Sequence, residues 1–247
     1  MDDTMMRAVG RVIEAMQGDL GEQHSVAEMA RTAMFSKFHF SRVFQRITGI
    51  SPGRFLMVMR LRRAQQLLLS TSLSVTEITH EVGYASVGTF SSRFSSSVGV
   101  SPSAYRALGG VTPQVPVDDR WAVPQPPAAT VHGYVRPAEA GRRHAGAVFV
   151  GLFPDPVPLG RPIRCAALDR LGPYRLENAP EGTWYVLAYS ASGERDDARP
   201  FPDDRAAMVG SYGPLTIRSE TVAVRADMPL RPMNAFDPPV LLALPAR

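Results

Sequence analysis

The chain contains an internal duplication, in which residues 25–56 recur about fifty positions later as 74–105. The first copy reads SVAEMARTAMFSKFHFSRVFQRITGISPGRFL, and the second reads SVTEITHEVGYASVGTFSSRFSSSVGVSPSAY. At an offset of 50 the copies share aromatic, small and proline residues at the pairs Phe40 and Phe90, Ser41 and Ser91, Phe44 and Phe94, Gly49 and Gly99, Ser51 and Ser101, and Pro52 and Pro102. A repeat of this length corresponds to one supersecondary unit, so the sequence predicts two equivalent units with the same physical role.

A capping box begins each copy. Ser25 and Ser74 are each followed three residues later by a glutamate, Glu28 and Glu77. In this pattern the serine hydroxyl accepts from the backbone of the third helical residue, and the glutamate accepts from the backbone of the serine. Two N–H groups that a helix start leaves free are thereby satisfied, so each copy is predicted to begin with a short helix.

A second helix is predicted to follow within a few residues in each copy, over about 36–48 and 86–98. Phenylalanines recur at helical spacing on one face, and Gly49 and Gly99 stand where a glycine ends a helix. Two helices joined by a tight turn form a helix-turn-helix motif. A plain helical hairpin would share the aromatic core, but the capping, the turn spacing and the duplication favour two such motifs.

Proline divides the chain into two parts. Of 22 prolines, only Pro52 and Pro102 precede residue 109. Because proline lacks an N–H donor and interrupts helices, the first part can be helical and the rest largely cannot. We predict an all-α domain over 1–108 and an all-β domain over 131–247, separated by a semi-rigid proline-rich linker over 109–130.

The excess positive charge of the chain lies in the first part. Residues 1–108 carry twelve Lys or Arg against eight Asp or Glu, whereas the remaining residues carry fifteen of each. From Met29 to Thr76 there is no acidic residue, and the basic residues of that stretch are Arg31, Lys37, Arg42, Arg46, Arg54, Arg60, Arg62 and Arg63. A solvated helix face usually mixes charge signs, so this run favours a polyanionic partner such as nucleic acid.

The stretch between the two motifs is predicted to form one long helix over 52–69. At ~1.5 Å per residue this helix would be roughly 27 Å long. It could hold the second helices of the two motifs about one turn of duplex DNA apart, ~34 Å. A single chain would then read two successive major-groove segments on one face of the duplex.

Residues 5–106 resemble the DNA-binding domain of the AraC/XylS family of bacterial transcription regulators. The most specific stretch is EVGYASVGTFSSRFSSSVGVSPSAYR, residues 81–106, whose glycine, aromatic, arginine and proline positions match the second motif of that family. Leu61, Arg62 and Ala64 match its linker helix. The resemblance implies a homeodomain-like double helix-turn-helix fold and sequence-specific DNA binding. Many members place this domain last, whereas here it comes first.

The resemblance also implies two sets of DNA-contacting residues. In the first motif they are Ser36, Lys37, Phe38, Ser41 and Arg42, with Arg46 one turn later at the groove edge. In the second motif they are Ser86, Val87, Gly88, Thr89, Ser91 and Ser92, with Arg93 near the phosphates. The chemistry agrees, because arginine can bind guanine O6 and N7 in bidentate fashion and an apolar side chain can contact a thymine methyl group. Since the first set is basic and bulky and the second small and polar, we predict that the first supplies most of the base-specific energy.

The part after residue 130 is predicted to be an antiparallel β-sandwich of the Ig-like or prealbumin type. Six short segments alternate apolar and polar residues or are short and apolar: VHGYVRP, AGAVFVGLF, YRLENAP, TWYVLAYS, LTIRSETVAVRA and VLLALP. Residues 131–190 resemble the carboxypeptidase regulatory-like, or transthyretin-like, sandwich. That resemblance implies a turn at Gly182 and the inward-facing side chains Tyr174, Leu176, Trp184 and Val186.

Other chemistry finds little support in the sequence. Cys165 is the only cysteine, which excludes a disulfide within the chain and a cysteine-based metal cluster. No secretory signal or membrane span is evident, so a soluble cytoplasmic protein without membrane contact is expected. No metal-ligand cluster, Gly-x-Ser-x-Gly motif or phosphate loop is found, so neither a metal, a cofactor nor an enzymatic activity is predicted.

The predicted partner is double-stranded DNA. For the β region three roles stay open, namely binding of a small-molecule effector of unknown identity, formation of a homodimer, or contact with another protein such as RNA polymerase. The competing hypothesis is a ligand-binding or enzymatic β-sandwich protein whose helical part is only a protein-contact module. Salt-dependent binding to duplex DNA separates the two hypotheses.

Overall fold

The computed structural model describes residues 3–22, 24–111, 128–139, 146–191 and 207–241. These residues form two compact units. The first, called here the helical unit, comprises the chain up to Ser96, Val100–Gly110 and Asn234–Leu241. The second, the sheet unit, comprises Ser97–Gly99 and the described residues between Val111 and Met233. Most of the expected linker, residues 112–127, lies outside the described residues.

Seven helices form in the described part of the chain: α1 Asp3–Gly18, α2 Val26–Thr32, α3 Lys37–Thr48, α4 Pro52–Ser70, α5 Val75–Glu81, α6 Val87–Val98 and α7 Pro102–Ala107. The helix pairs α2–α3 and α5–α6 are the two predicted helix-turn-helix motifs. Helix α4 is the predicted connection, and its proline stands in the first turn, where a missing N–H costs nothing. No helix of the described residues is both long and apolar enough to cross a bilayer.

Both predicted capping boxes are present. The hydroxyls of Ser25 and Ser74 accept from the backbones of Glu28 and Glu77, each at 3.2 Å. In return the two carboxylates accept from the serine N–H groups at 2.8 and 2.7 Å. These backbone hydrogen bonds, followed by those to the serine side chains, hold the pKa of both carboxyl groups below its usual range. The motifs therefore begin in the same way.

The two repeats also share an aromatic core. In the first, the ring of Phe44 packs against Phe40 and Phe55, with ring centroids 5.5 and 5.4 Å away. In the second, the ring of Phe94 lies 5.7 Å from Phe90 and 5.6 Å from Tyr105. Phe40 and Phe44 of α3 and Phe90 and Phe94 of α6 are fully buried. Because the buried faces are equivalent, the exposed faces of α3 and α6 are presented in equivalent ways.

Two arginines form hydrogen bonds with the backbone that precedes each motif. Arg60 of α4 donates to the carbonyl oxygens of Leu20 at 2.9 Å and Glu22 at 2.7 Å. Arg106 of α7 donates to the carbonyl oxygens of Leu68 and Leu73 at 2.9 and 2.6 Å. Each guanidinium thus occupies backbone acceptors that a loop would otherwise leave to water. One of the eight cations of the acid-free run, Arg60, is consequently structural.

The second part of the chain is rich in strands, as predicted. The strands are β1 Ala128–Pro137, β2 Val148–Phe153, β3 Arg164–Leu168, β4 Pro173–Pro180, β5 Gly182–Ala191, β6 Ala207–Ile217, β7 Ala223–Arg225 and β8 Met228–Pro232. They form one sheet in the order β3–β2–β5–β6–β8–β1–β4, with β7 paired to β1. The inward positions Tyr174, Leu176, Trp184 and Val186 are buried as expected.

The sandwich prediction is not confirmed. A sandwich has two facing sheets, whereas here one path of strands runs through the whole unit and its end strands β3 and β4 contact each other. The sheet therefore approaches a closed barrel. The pairing is also not wholly antiparallel, because β1 pairs in parallel with β7 and β8. The turn predicted at Gly182 is present, with a φ of 141° and the indole of Trp184 packed against it.

The last predicted strand, VLLALP at 240–245, is not observed as a strand in its described part. Residues 242–245 lie outside the described part, and Val240 and Leu241 are not in a strand. Both side chains are buried, and the segment Asn234–Leu241 groups with the helices. The helical unit is thus discontinuous in sequence, whereas the sequence expectation placed all residues after 130 in the β domain.

Candidate nucleic-acid interface

The exposed face of α3 carries the first set of predicted DNA contacts. Ser36 caps the helix, because its hydroxyl accepts from the N–H of His39 at 3.4 Å. Phe38 is 86% exposed, which is unusual for a large aromatic side chain on a helix whose other phenylalanines are buried. Arg42 follows one turn later and is also exposed. The structure therefore places an apolar ring and a guanidinium side by side on a face turned away from the core.

The cations of this face are available to a partner. Lys37, Arg42 and Arg46 are exposed, and none forms an ion pair or a side-chain hydrogen bond among the described residues. Arg31, outside this face, lies 3.8 Å from the carboxylate of Glu28. Three of the eight cations of the acid-free run thus lie exposed on α3, where no carboxylate of the described residues pairs with them.

Ser41 lies on the same helix but is partly committed to it. Its hydroxyl donates to the carbonyl oxygen of Lys37 at 3.0 Å, and the residue is half-buried. A serine bonded back to its own helix retains only its lone pairs for a partner. Of the first predicted set, Ser41 is therefore the least free to donate to a base.

The exposed face of α6 carries the second set. Ser86 accepts from the N–H of Thr89 at 3.3 Å and donates to its hydroxyl at 2.9 Å. Gly88, Ser92 and Arg93 are exposed, whereas Val87 and Ser91 are half-buried. The space around Gly88 is open, since no atom lies within 4 Å of the position of a Cβ there. This face is small and polar, and Arg93 is its only cation.

The turns between the helices of the two motifs have the same geometry. Met34 and Gly83 both adopt a left-handed backbone, with φ of 57° and 77°. In each turn that residue donates to a carbonyl three residues back at 2.9 Å, and the next residue donates to one five residues back, also at 2.9 Å. Met34 is 81% exposed, so the first motif presents a second large apolar side chain next to α3.

One residue on the exposed face of α3 was absent from the predicted set. Gln45 is exposed and lies seven residues after Phe38 and four after Ser41, which places it on the same side of α3. A glutamine can bind adenine N6 and N7 in bidentate fashion. Helical spacing from Phe38 was the signal in the sequence that could have identified it.

Known proteins and family models match the helical half of the chain. Residues 29–108 match the family model described as a helix-turn-helix domain. The HTH-type transcriptional activator AarP of Providencia stuartii is 30% identical over 98 residues, which cover 40% of this chain and 73% of that protein. The MmsAB operon regulatory protein of Pseudomonas aeruginosa is 41% identical over 86 residues, 34% of this chain and 28% of that protein.

Several relatives are much longer than the matched region. An uncharacterized HTH-type transcriptional regulator of Haemophilus influenzae is 39% identical over 95 residues, 38% of this chain, and this chain spans 32% of its length. Among solved structures, the DNA-binding domain of AdpA in complex with a target DNA is 33% identical, with a TM-score of 0.39; the match covers 43% of this chain and 93% of that one.

Proposed function

This chain belongs to the helix-turn-helix transcriptional regulators with an AraC-type DNA-binding domain, and from that premise we propose that it reads two successive major-groove segments of duplex DNA. Helix α3 reads the first segment and α6 the second. The observation that carries the proposal is the exposed face of α3, with three cations that have no partner in the described chain. AdpA, whose DNA-binding domain has been solved with a target DNA, supports the choice of partner.

The duplication supports the two-segment reading. Both recognition helices begin at a serine N-cap, so their first N–H groups can also bind phosphate. Helix α4, of 19 residues, connects the two motifs and is roughly 28 Å long, which is comparable with one DNA turn of ~34 Å. A rigid connection of this length suits contacts on one face of the duplex.

Binding to duplex DNA is expected to weaken steeply as salt rises. If Lys37, Arg46 and Arg93 neutralise about three phosphates, raising salt from about 50 to about 200 mM lowers the association constant roughly fortyfold. Duplexes are first selected from a random pool with the full chain, and the affinity of the selected duplex is then measured by fluorescence anisotropy across the salt series.

A scrambled duplex of the same composition is the control for this measurement. It should show the same slope on a logarithmic salt axis but a weaker affinity, because the phosphate contacts do not read sequence. A failure of the pool to enrich, with both duplexes bound equally and weakly, would contradict the proposal. That outcome would favour the alternative in which the function lies in the sheet unit and the helices only contact protein.

The exposed face of α3, called here the first reader, is proposed to supply most of the sequence specificity. The exposed face of α6 is called the second reader. Arg42→Ala should cost ~1–3 kcal/mol at one base pair and relax the preference there, since a bidentate contact to guanine is lost. Arg46→Ala is the matched comparison: as a contact to the groove edge or backbone, it should weaken binding to all duplexes alike and reduce the salt slope by about one. Affinities for a series of single-base-pair variants of the selected duplex distinguish the two effects.

Variants of the second reader test the same ranking from the side of α6. Gly88→Ala places a methyl group in open space, so a loss of affinity reports a clash at the interface and not a clash within the fold. We expect Gly88→Ala and Ser92→Ala to change specificity less than Arg42→Ala does. If they abolish specificity while Arg42→Ala leaves it intact, the ranking of the two readers is reversed.

The sheet unit is proposed to contact protein, either a second copy of the chain or another protein such as RNA polymerase. Tyr134 and Tyr212 are among the few large apolar residues exposed on it, and the guanidinium of Arg136 lies 5.8 Å from the centre of the Tyr134 ring. Tyrosine and arginine are enriched in protein interfaces. The proposed domains are 1–108 and 131–247, except that Asn234–Leu241 groups with the helices. Effector sensing is the other role proposed for the second domain. Its resemblance to the transthyretin-like sandwich stays a proposal, supported by the buried Tyr174 and Trp184.

A further inference from the structure

The segment Asn234–Leu241, called here the C-terminal strap, follows β8 and belongs to the helical unit. It begins with a tight turn held by its own side chains. The N–H of Asn234 donates to the carboxylate of Asp237 at 2.8 Å, and the N–H of Phe236 donates to the side-chain oxygen of Asn234 at 2.9 Å. Pro238 and Pro239 then restrict the backbone. The strap therefore has a defined local shape.

The end of the strap is buried among the helices. Leu241 has no exposed surface and Val240 is 7% exposed. The carbonyl oxygen of Leu241 accepts from the side-chain N–H of Gln65 at 2.8 Å. The ring of Phe236 reaches α1, where a Cβ on Gly10 would lie 4.0 Å from its nearest atom. The strap thus contacts both α1 and α4.

Gln65 is an unusual residue for its position. It is 1% exposed on α4, and its side-chain oxygen has no hydrogen-bond partner among the described residues. A buried amide costs free energy unless it is hydrogen-bonded, and a leucine would fill this place in a helix core without that cost. Among the described residues, the hydrogen bond from Gln65 to the strap is the contact that explains why an amide is buried at this position.

We propose that the C-terminal strap positions the two readers relative to each other by bracing α4, and that high affinity for a two-segment DNA site requires it. The inference rests on the proposed function. Helix α4 is the connection between the motifs, and Gln65 and Leu241 are positioning residues because they act through it. The strap is not expected to contact DNA.

The physical reason is the gain from linked binding. Once the first reader is bound, the second binds at a high effective concentration only if the connection holds it at the right distance and rotation. A loosened connection lowers that effective concentration without altering either reading face. The strap should therefore matter for a duplex with both segments and not for a duplex with one.

Two variants of the full chain test this prediction, Gln65→Ala and Leu241→Asp. Their affinities are measured for the selected duplex and for a duplex in which the segment read by α6 is scrambled. We expect each variant to lose at least about tenfold in affinity for the intact duplex, because linked binding contributes factors of this size or more. On the scrambled duplex we expect a change of less than about twofold. Gln66→Ala, the neighbouring glutamine on α4, is the matched control and should leave both affinities unchanged.

The outcomes are distinguishable. Equal losses on both duplexes would mean that the strap only supports folding, and no loss on either would mean that it is dispensable; either result overturns the inference. Should Leu241→Asp fail to fold, Gln65→Ala decides, since it removes one hydrogen bond and introduces no charge. If the unaltered chain selects no duplex, the proposed function fails. Hydrogen exchange of the α4 amides then still tests the brace without DNA, because faster exchange in Gln65→Ala supports it and unchanged exchange contradicts it.

Discussion

Replacing Phe44 with alanine is expected to lower the free energy of unfolding of the helical unit by about 3–5 kcal/mol. The Phe44 ring is fully buried and packs edge-on against Phe40 and Phe55, so its removal leaves a cavity in this aromatic core. A loss of this size is comparable with the whole stability of many small domains. Chemical denaturation followed by far-ultraviolet circular dichroism measures it.

Two further substitutions serve as comparisons for Phe44→Ala. Phe94→Ala should cost about as much as Phe44→Ala, because the same position in the second repeat packs against Phe90 and Tyr105 at nearly the same distances. Phe38→Ala should change stability by less than about 0.5 kcal/mol, since its side chain is 86% exposed. A large cost at Phe38, or a small one at Phe94, would contradict the equivalence of the two cores.

Replacing Gly83 with alanine is expected to destabilise the second motif by roughly 2–5 kcal/mol, from left-handed strain and overpacking together. Its φ is 77°, and an added Cβ would lie 2.7 Å from the guanidinium of Arg60 and 2.8 Å from the carbonyl oxygen of Leu20. Arg60 cannot simply move aside, because it donates to two loop carbonyls. Thermal unfolding of the variant measures the effect.

The corresponding change in the first motif should have the opposite sign. Met34 has the same left-handed backbone but is 81% exposed, so Met34→Gly relieves strain without opening a cavity. The relief of roughly 1–2 kcal/mol exceeds the entropic cost of a new glycine, which leaves a net gain of up to about 1 kcal/mol. A destabilised Met34→Gly variant would show that the Met34 side chain contributes to the fold of the turn.

The helical half was predictable because its signals are local. Capping boxes, the glycines after α3 and α6 and the spacing of the phenylalanines each act within one turn of a helix, and duplication repeats every one of them. The predicted and observed helices consequently differ by one or two residues at their ends. The DNA-contacting residues stay a prediction, although the structure places most of them on exposed faces.

The sheet half was less predictable because its pairing is not local. Strand β8 contains Pro229 and Pro232, which argue against a strand when only the sequence is considered. Strand β3 has five residues without clear alternation, and it was missed as well. Whether such strands form one sheet or two depends on contacts between distant segments, which periodicity does not encode.

The run VLLALP also shows that a local pattern does not determine which element a segment forms. Its apolar residues indicated burial, and Val240 and Leu241 are indeed buried. An apolar run of four to six residues cannot, however, distinguish a strand in a sheet from an extended segment against helices. The correct part of the prediction was the burial, and the wrong part was the element on which it occurs.

The C-terminal strap has a consequence for the order in which the protein is made. More than a hundred residues separate Gly110 from Asn234, so the ribosome releases the recognition helices well before the last piece of their unit. At about 5–20 residues per second that interval lasts roughly 6–25 seconds. A nascent chain therefore carries both reading faces before it carries the segment that packs behind them, and the helical unit becomes complete only after the strands of the sheet unit have been made.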